Sequence, residues 1–162
     1  MSDRIQPILE NLQLLYEQLD AAEKAAIREV NAISRKKYEQ EIRDTLLPDV
    51  RKYEQQYAIA LSQQVKKQDP ILEPIAATIV GELVDEIEMI QPIAKTDEMR
   101  SMLQEILVEL RKSDVPASAK LKIAIPIIPN VVTYELEGDT ETVVRRLFPT
   151  FVKVYEALTP KK

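Results

Sequence analysis

Residues 120–140, KLKIAIPIIPNVVTYELEGDT, decide whether this chain is wholly helical or carries a piece of sheet. The segment is rich in Ile and Val, and its apolar residues alternate: Leu121, Ile123, Ile125 and Ile127, then Val132, Tyr134 and Leu136 beyond Pro129–Asn130. A period of two predicts extended backbone, so a hairpin is the simplest arrangement. Pro126 and Pro129 weaken it, because proline has no N–H for a ladder. Pro–Asn is also not the Gly- or Asn-Gly-type loop that a tight hairpin prefers. An irregular, extended apolar arm laid on the helices is the competing expectation. The stretch is only about half of the roughly 20 apolar residues that a membrane-spanning helix needs.

Outward from this segment the spacing becomes helical. Ile5, Leu9, Leu12, Tyr16 and Leu19 recur three and four apart, which lines one helix face. Asp3 is the expected cap of this first helix. Asp20 and Glu23 stand at capping-box spacing, inside one helix or at the start of a second. A thinner stripe follows, with Ala26, Ile27, Val30, Ile33, Tyr38 and Ile42 set among basic residues. Asp44 and Pro48 predict a new helix start or a kink over 44–48. Val50, Tyr53, Tyr57, Leu61 and Val65 mark the next buried face. Asp69–Pro70 is a helix-start signal. It precedes the cleanest stripe of the chain, Leu72, Ile75, Ile79, Leu83, Ile87 and Ile90. Pro92 ends or kinks that helix, and Thr96 with Asp97 and Glu98 caps the next. A last helix carries Val144, Leu147, Phe148, Phe151, Tyr155 and Leu158, with Pro149 inside it.

The expected fold is therefore mainly α, a five- to six-helix bundle with a short β-hairpin or extended apolar arm near 120–137. One helical domain over 1–162 is expected, divided into a bundle over 1–112, the arm over 113–139 and a C-terminal helix over 140–159. With 162 residues, 45% hydrophobic and 30% charged, the chain is long enough for a sizeable core and unlike a disordered one. The start, MSDRIQPILENL, lacks the basic opening and apolar run of a signal peptide, so a cytoplasmic location is expected.

Composition removes much chemistry. There is no Cys and no His, so thiolate metal sites, disulfides, Cys nucleophiles and His general bases are all excluded. Two glycines cannot build a Gly-rich phosphate loop, and no serine sits in a G-x-S-x-G elbow. A net charge of −5 argues against nucleic acid as a partner. No catalytic, cofactor-binding or metal-ligating residue is assigned.

The acidic residues raise the remaining chemical question. Glu82 and Glu86 are four apart, as are Glu105 and Glu109, so each pair shares a helix face. A carboxylate metal site would be the enzymatic alternative, yet the di-iron pattern needs Glu-x-x-His and the chain has no His. A solvated acidic face is the simpler expectation. Charge is nonetheless uneven: residues 21–67 carry +3, residues 68–110 carry −8, and the flanking segments carry −3 and +3. That predicts either packing of the basic helices on the acidic ones, or electrostatic selection of a partner or a second copy.

The segment 120–149 also resembles a stretch found in cyanobacterial multidomain signalling proteins. There a helical, effector-associated adaptor module lies beside a STAND-type NTPase, a protease-like domain or pentapeptide repeats. The residues that carry the likeness are Leu121, Lys122, Pro126, Pro129, Tyr134, Glu135, Glu137, Asp139, Thr140 and Glu141. Asn130 departs from it where a small residue such as Gly is expected. The resemblance spans about 30 of the 162 residues and implies no catalytic residue. Together these readings predict a noncatalytic interaction or signalling-adaptor domain, bacterial and able to bind another protein or itself. The expected interaction residues are Leu121, Ile123, Ile125, Ile127 and Tyr134 on the arm, with Glu82, Glu86, Glu105 and Glu109. The alternative is a membrane-active bundle that releases its 121–136 arm.

Overall fold

Helix α1 runs unbroken over Ile5–Arg28, with Ile5, Leu9, Leu12, Leu19 and Ala26 buried as the three-four spacing dictates. The computed structural model describes residues 4–67, 71–131 and 142–158. Asp20 and Glu23 lie inside α1 rather than at a break. The break comes at Glu29–Asn31, where the backbone turns extended at Glu29 and Asn31. Asn31 then caps α2 (Ala32–Glu41), its side chain accepting from the N–H groups of Ile33 and Ser34 at 2.9 and 3.2 Å.

From α2 the chain passes through a π turn, Ile42–Leu46, directly into α3, Leu47–Lys67. Pro48 explains the turn. It has no N–H, and in regular α geometry its ring would press on the carbonyl four residues back. Here the N–H of Leu47 instead reaches the carbonyl of Ile42, five back, so one extra residue is taken up just before Pro48. The expected restart over 44–48 is thus a change of helical pitch inside a continuous rod. Its buried side chains Ile42, Leu46, Leu47 and Val50 pack with Leu19, against which Leu15, Tyr16 and Ala22 also lie.

Helix α4 begins at Glu73, with Ile71 and Leu72 still nonhelical, and runs to Ile90. The Asp69–Pro70 start signal lies outside the described residues. The stripe is narrower than its spacing suggested. Ala76, Ile79, Val80, Leu83, Ile87 and Ile90 are buried, whereas Leu72 and Ile75 are exposed. Pro92 converts the end of α4 into a 3-10 turn over Gln91–Ile93. Thr96 caps α5 (Asp97–Leu110) as expected, its hydroxyl accepting from the N–H of Met99 at 3.1 Å.

No strand occurs among the described residues, and the expected hairpin is corrected on its first half. Residues Ala117–Ala124 form α6, followed by a 3-10 turn over Ile125–Asn130. Beneath the two-residue alternation lies a three-four pattern, and burial follows that one: Leu121, Ala124, Ile125, Ile128 and Val131 are buried, while Ile123 is 46% exposed. Pro126 and Pro129 offer no N–H to the carbonyls four residues back, so the α ladder fails at both positions. The chain tightens into 3-10 geometry, closed by Val131 N–H to the Ile128 carbonyl at 2.9 Å. The second half of the expected hairpin, with Val132, Tyr134 and Leu136, lies outside the described residues.

Thr142 starts α7 (Val143–Leu158), its hydroxyl accepting from the N–H of Arg145 at 3.1 Å. The helix continues across Pro149 and buries Val144, Leu147, Phe151, Val154, Tyr155 and Leu158. The chain divides into two compact units, Met1–Tyr57 and Ala58–Lys162. In the second, α4 is the central element and packs against α5, α6 and α7.

Candidate interaction surface

The acidic face of α4 is largely matched from within its own unit. Lys153 of α7 lies 2.5 Å from Glu82, and Arg146 lies 3.4 Å from Glu86. The order of these pairs shows that α4 and α7 run antiparallel. Arg111, just past α5, pairs with Glu88, and Lys112 lies 3.0 Å from Glu109. These pairs tie 68–110 to the positive segment 111–162 of the same unit. Glu105 and Asp85 are exposed and take part in none of the described ion pairs. Among the described residues no group of three carboxylates is placed to hold a metal ion.

The apolar arm residues separate into two sets. Leu121 and Ile125 are buried in the core of the second unit, Ile127 is half-buried and Ile123 is exposed. Tyr134 lies outside the described residues. The arm between 121 and 131 is thus mainly structural, and its release would expose Leu121, Ala124, Ile125, Ile128 and Val131 together. No helix among the described residues is long and apolar enough to cross a membrane.

Glu73 was missed by the sequence reading. From the first turn of α4 its carboxylate accepts from the N–H groups of Ala117 and Ser118, each at 3.0 Å, and from the Ser118 hydroxyl. Helix α6 has Pro116 at its N-cap, which supplies no side-chain acceptor, so the cap comes from 44 residues away. The Ser118 hydroxyl is the main cause that holds the Glu73 carboxyl below its ordinary value. The Ser118 and Ala117 N–H groups and the charge of Lys120 act in the same direction, against an opposing desolvation. In the first unit, Tyr16 donates to the fully buried side chain of Glu54 at 2.6 Å, the kind of partner a buried polar group requires.

The surface that departs furthest from expectation is the end of the α1–α2 hairpin. Ile27, Val30 and Ile33 belong to a stripe expected to be buried, yet they are 82%, 93% and 71% exposed. Helix α2 buries none of its residues. The bend is held by its own side chains. Arg35 donates to the Glu29 carbonyl through Nε and Nη2 at 3.2 and 2.9 Å, and Glu29 Oε1 accepts from the Asn31 N–H at 3.0 Å. With the Asn31 cap, these bonds satisfy the backbone while leaving the three aliphatic side chains outward. Residues 24–37 hold five Lys or Arg (Lys24, Arg28, Arg35, Lys36, Lys37) against Glu29 alone. The available signals were Asn31 as a cap and the density of basic residues, which marks this turn as a surface. Compared with protein-family models, curated proteins and solved structures, the chain matches none.

Proposed function

We propose that the chain is a noncatalytic protein-interaction module of the signalling-adaptor kind, and that it docks through the end of its α1–α2 hairpin. One observation carries the reading: Ile27, Val30 and Ile33 are held outward on an ordered bend instead of being folded into the core. Singly exposed apolar residues are ordinary, but three clustered on one bend within a basic rim have the composition of a docking surface. The bend's local hydrogen bonds reduce the ordering cost on binding. The bacterial signalling setting rests on the resemblance of residues 120–149 to effector-associated adaptor modules.

The test is quantitative affinity capture from the native host with the wild-type chain and Val30→Asp, the latter first shown by circular dichroism to be folded. A specific protein that co-purifies with wild type and is lost with Val30→Asp is the expected result. Identical capture by both proteins would remove the hairpin end from the interaction.

A further inference from the structure

We infer that the basic, apolar end of the α1–α2 hairpin docks on the acidic α4–α5 face of a second copy of this chain. The inference rests on the interaction-module reading and names its partner. The hairpin end needs a receiver that offers apolar side chains beside carboxylates, and the neighbouring helices α4 and α5 each carry such a pairing. On α4, exposed Met89 follows Asp85 by four residues; on α5, exposed Val108 follows Glu105 by three. Each apolar side chain therefore sits one turn from an exposed carboxylate on the same side of its helix. Met89 and Val108 are 56% and 50% exposed. Neighbouring Glu82, Glu86, Glu88 and Glu109 are engaged by cations of their own unit, which leaves Asp85 and Glu105 to meet an incoming basic group.

Charge selects this receiver over the two obvious competitors. Residues 24–37 carry a net +4, of which Lys24 is already paired with Asp20 at 3.0 Å, and the remainder of the chain carries −9. A symmetric contact between two hairpin ends would oppose two such basic clusters. An anionic lipid surface would attract the hairpin end but repel the remainder, and the end offers Ile and Val where interfacial anchors favour aromatic residues and Leu. A second copy's acidic helices attract the end without that conflict. Two copies that dock reciprocally, each end on the other's face, close as a two-fold dimer, whereas a one-way contact grows by addition of copies unless a ring closes.

Sedimentation velocity of the full chain over a range of concentrations tests this. Wild type is expected to gain mass with concentration at about 0.05 M salt, and to lose at least about tenfold in association constant at about 0.5 M. Val30→Asp is expected to weaken association by about tenfold or more. The pair Arg28→Glu/Lys36→Glu cancels the +4 of residues 24–37 and leaves the acidic face intact, whereas Asp85→Lys/Glu105→Lys makes the receiving face basic and leaves the basic end intact, so neither variant associates alone. Mixed, each supplies what the other lacks and assembly returns. All four positions are exposed, and circular dichroism checks that the variants remain folded. A wild type that stays monomeric at every concentration overturns the inference, as does a mixture that fails to assemble. A monomer that instead co-sediments with phosphatidylserine vesicles, and loses them with Val30→Asp, assigns the surface to lipid. A monomer that still captures a different protein through Val30 removes only the second copy as occupant, leaving the interaction-module reading intact.

Discussion

Replacing Ile125 and Ile123 separately by alanine distinguishes the observed helix from the extended strand that the alternation suggests. In a strand, residues 123 and 125 point to the same face and should cost alike. In the structure Ile125 is 1% exposed and Ile123 is 46% exposed. Ile→Ala removes three carbons, about 2.5 kcal/mol of transfer free energy at ~0.8 kcal/mol per buried group. At Ile125 the unfilled cavity raises this towards 3–4 kcal/mol, within the roughly 2–5 kcal/mol seen for such truncations. At Ile123 only about half the transfer term applies and no cavity forms. Alanine's better helix propensity returns a few tenths, leaving about 1 kcal/mol or less. Urea unfolding followed by circular dichroism is expected to separate the two variants by about 2–3 kcal/mol. Equal losses, or a larger loss at Ile123, would refute the helical register over 121–128.

Glu73→Gln removes the charge that caps α6. Because the folded carboxyl titrates below its ordinary value of 4.5, its contribution is complete above that value and disappears as the pH falls through the lower folded one. The gap in melting temperature between wild type and Glu73→Gln is thus expected at neutral pH and should close in acid; a gap independent of pH would contradict the charged cap. Tyr16→Phe deprives the buried Glu54 side chain of a donor and is expected to cost about 1–3 kcal/mol in chemical denaturation, against no change if that bond is dispensable. Gly81 lies mid-helix on the exposed side of α4, and an added Cβ there meets nothing within 4 Å. Gly81→Ala should therefore stabilise the chain by about 0.5–1 kcal/mol, seen as a raised melting temperature.

The helices were legible where local chemistry and burial agree, as at Thr96, Pro92 and the core of α4. They were misread where two periods coexist. Leu121, Ile123, Ile125 and Ile127 alternate, while Leu121, Ala124, Ile125 and Ile128 follow helical spacing, and an alanine is easily left out of an apolar pattern. Tertiary packing selects the second set, since only that set buries a continuous ridge in the second unit. The hairpin end was obscure for the opposite reason. Ile27, Val30 and Ile33 keep the spacing of a buried stripe, and spacing carries no information about whether any partner element faces it. Glu73 was invisible because its capping partners are distant in sequence, a relation no local motif encodes. The acidic face was legible as a charge excess, but its assignment to α7 depended on which helix the fold places beside α4.

The π turn at Ile42–Leu46 has a consequence for how tolerant this rod is to insertion and deletion. Each residue of a regular α-helix rotates its successors by about 100°, so one additional residue held in a wider turn shifts the phase between the flanking helices. Removing a residue such as Thr45 would restore an ordinary ladder only by bringing the Pro48 ring against a carbonyl. It would also swing α2, with Asn31 and the outward Ile33, about a quarter-turn relative to Leu47 and Val50. The direction in which the hairpin end faces is therefore encoded in a residue count rather than in any side chain that touches it.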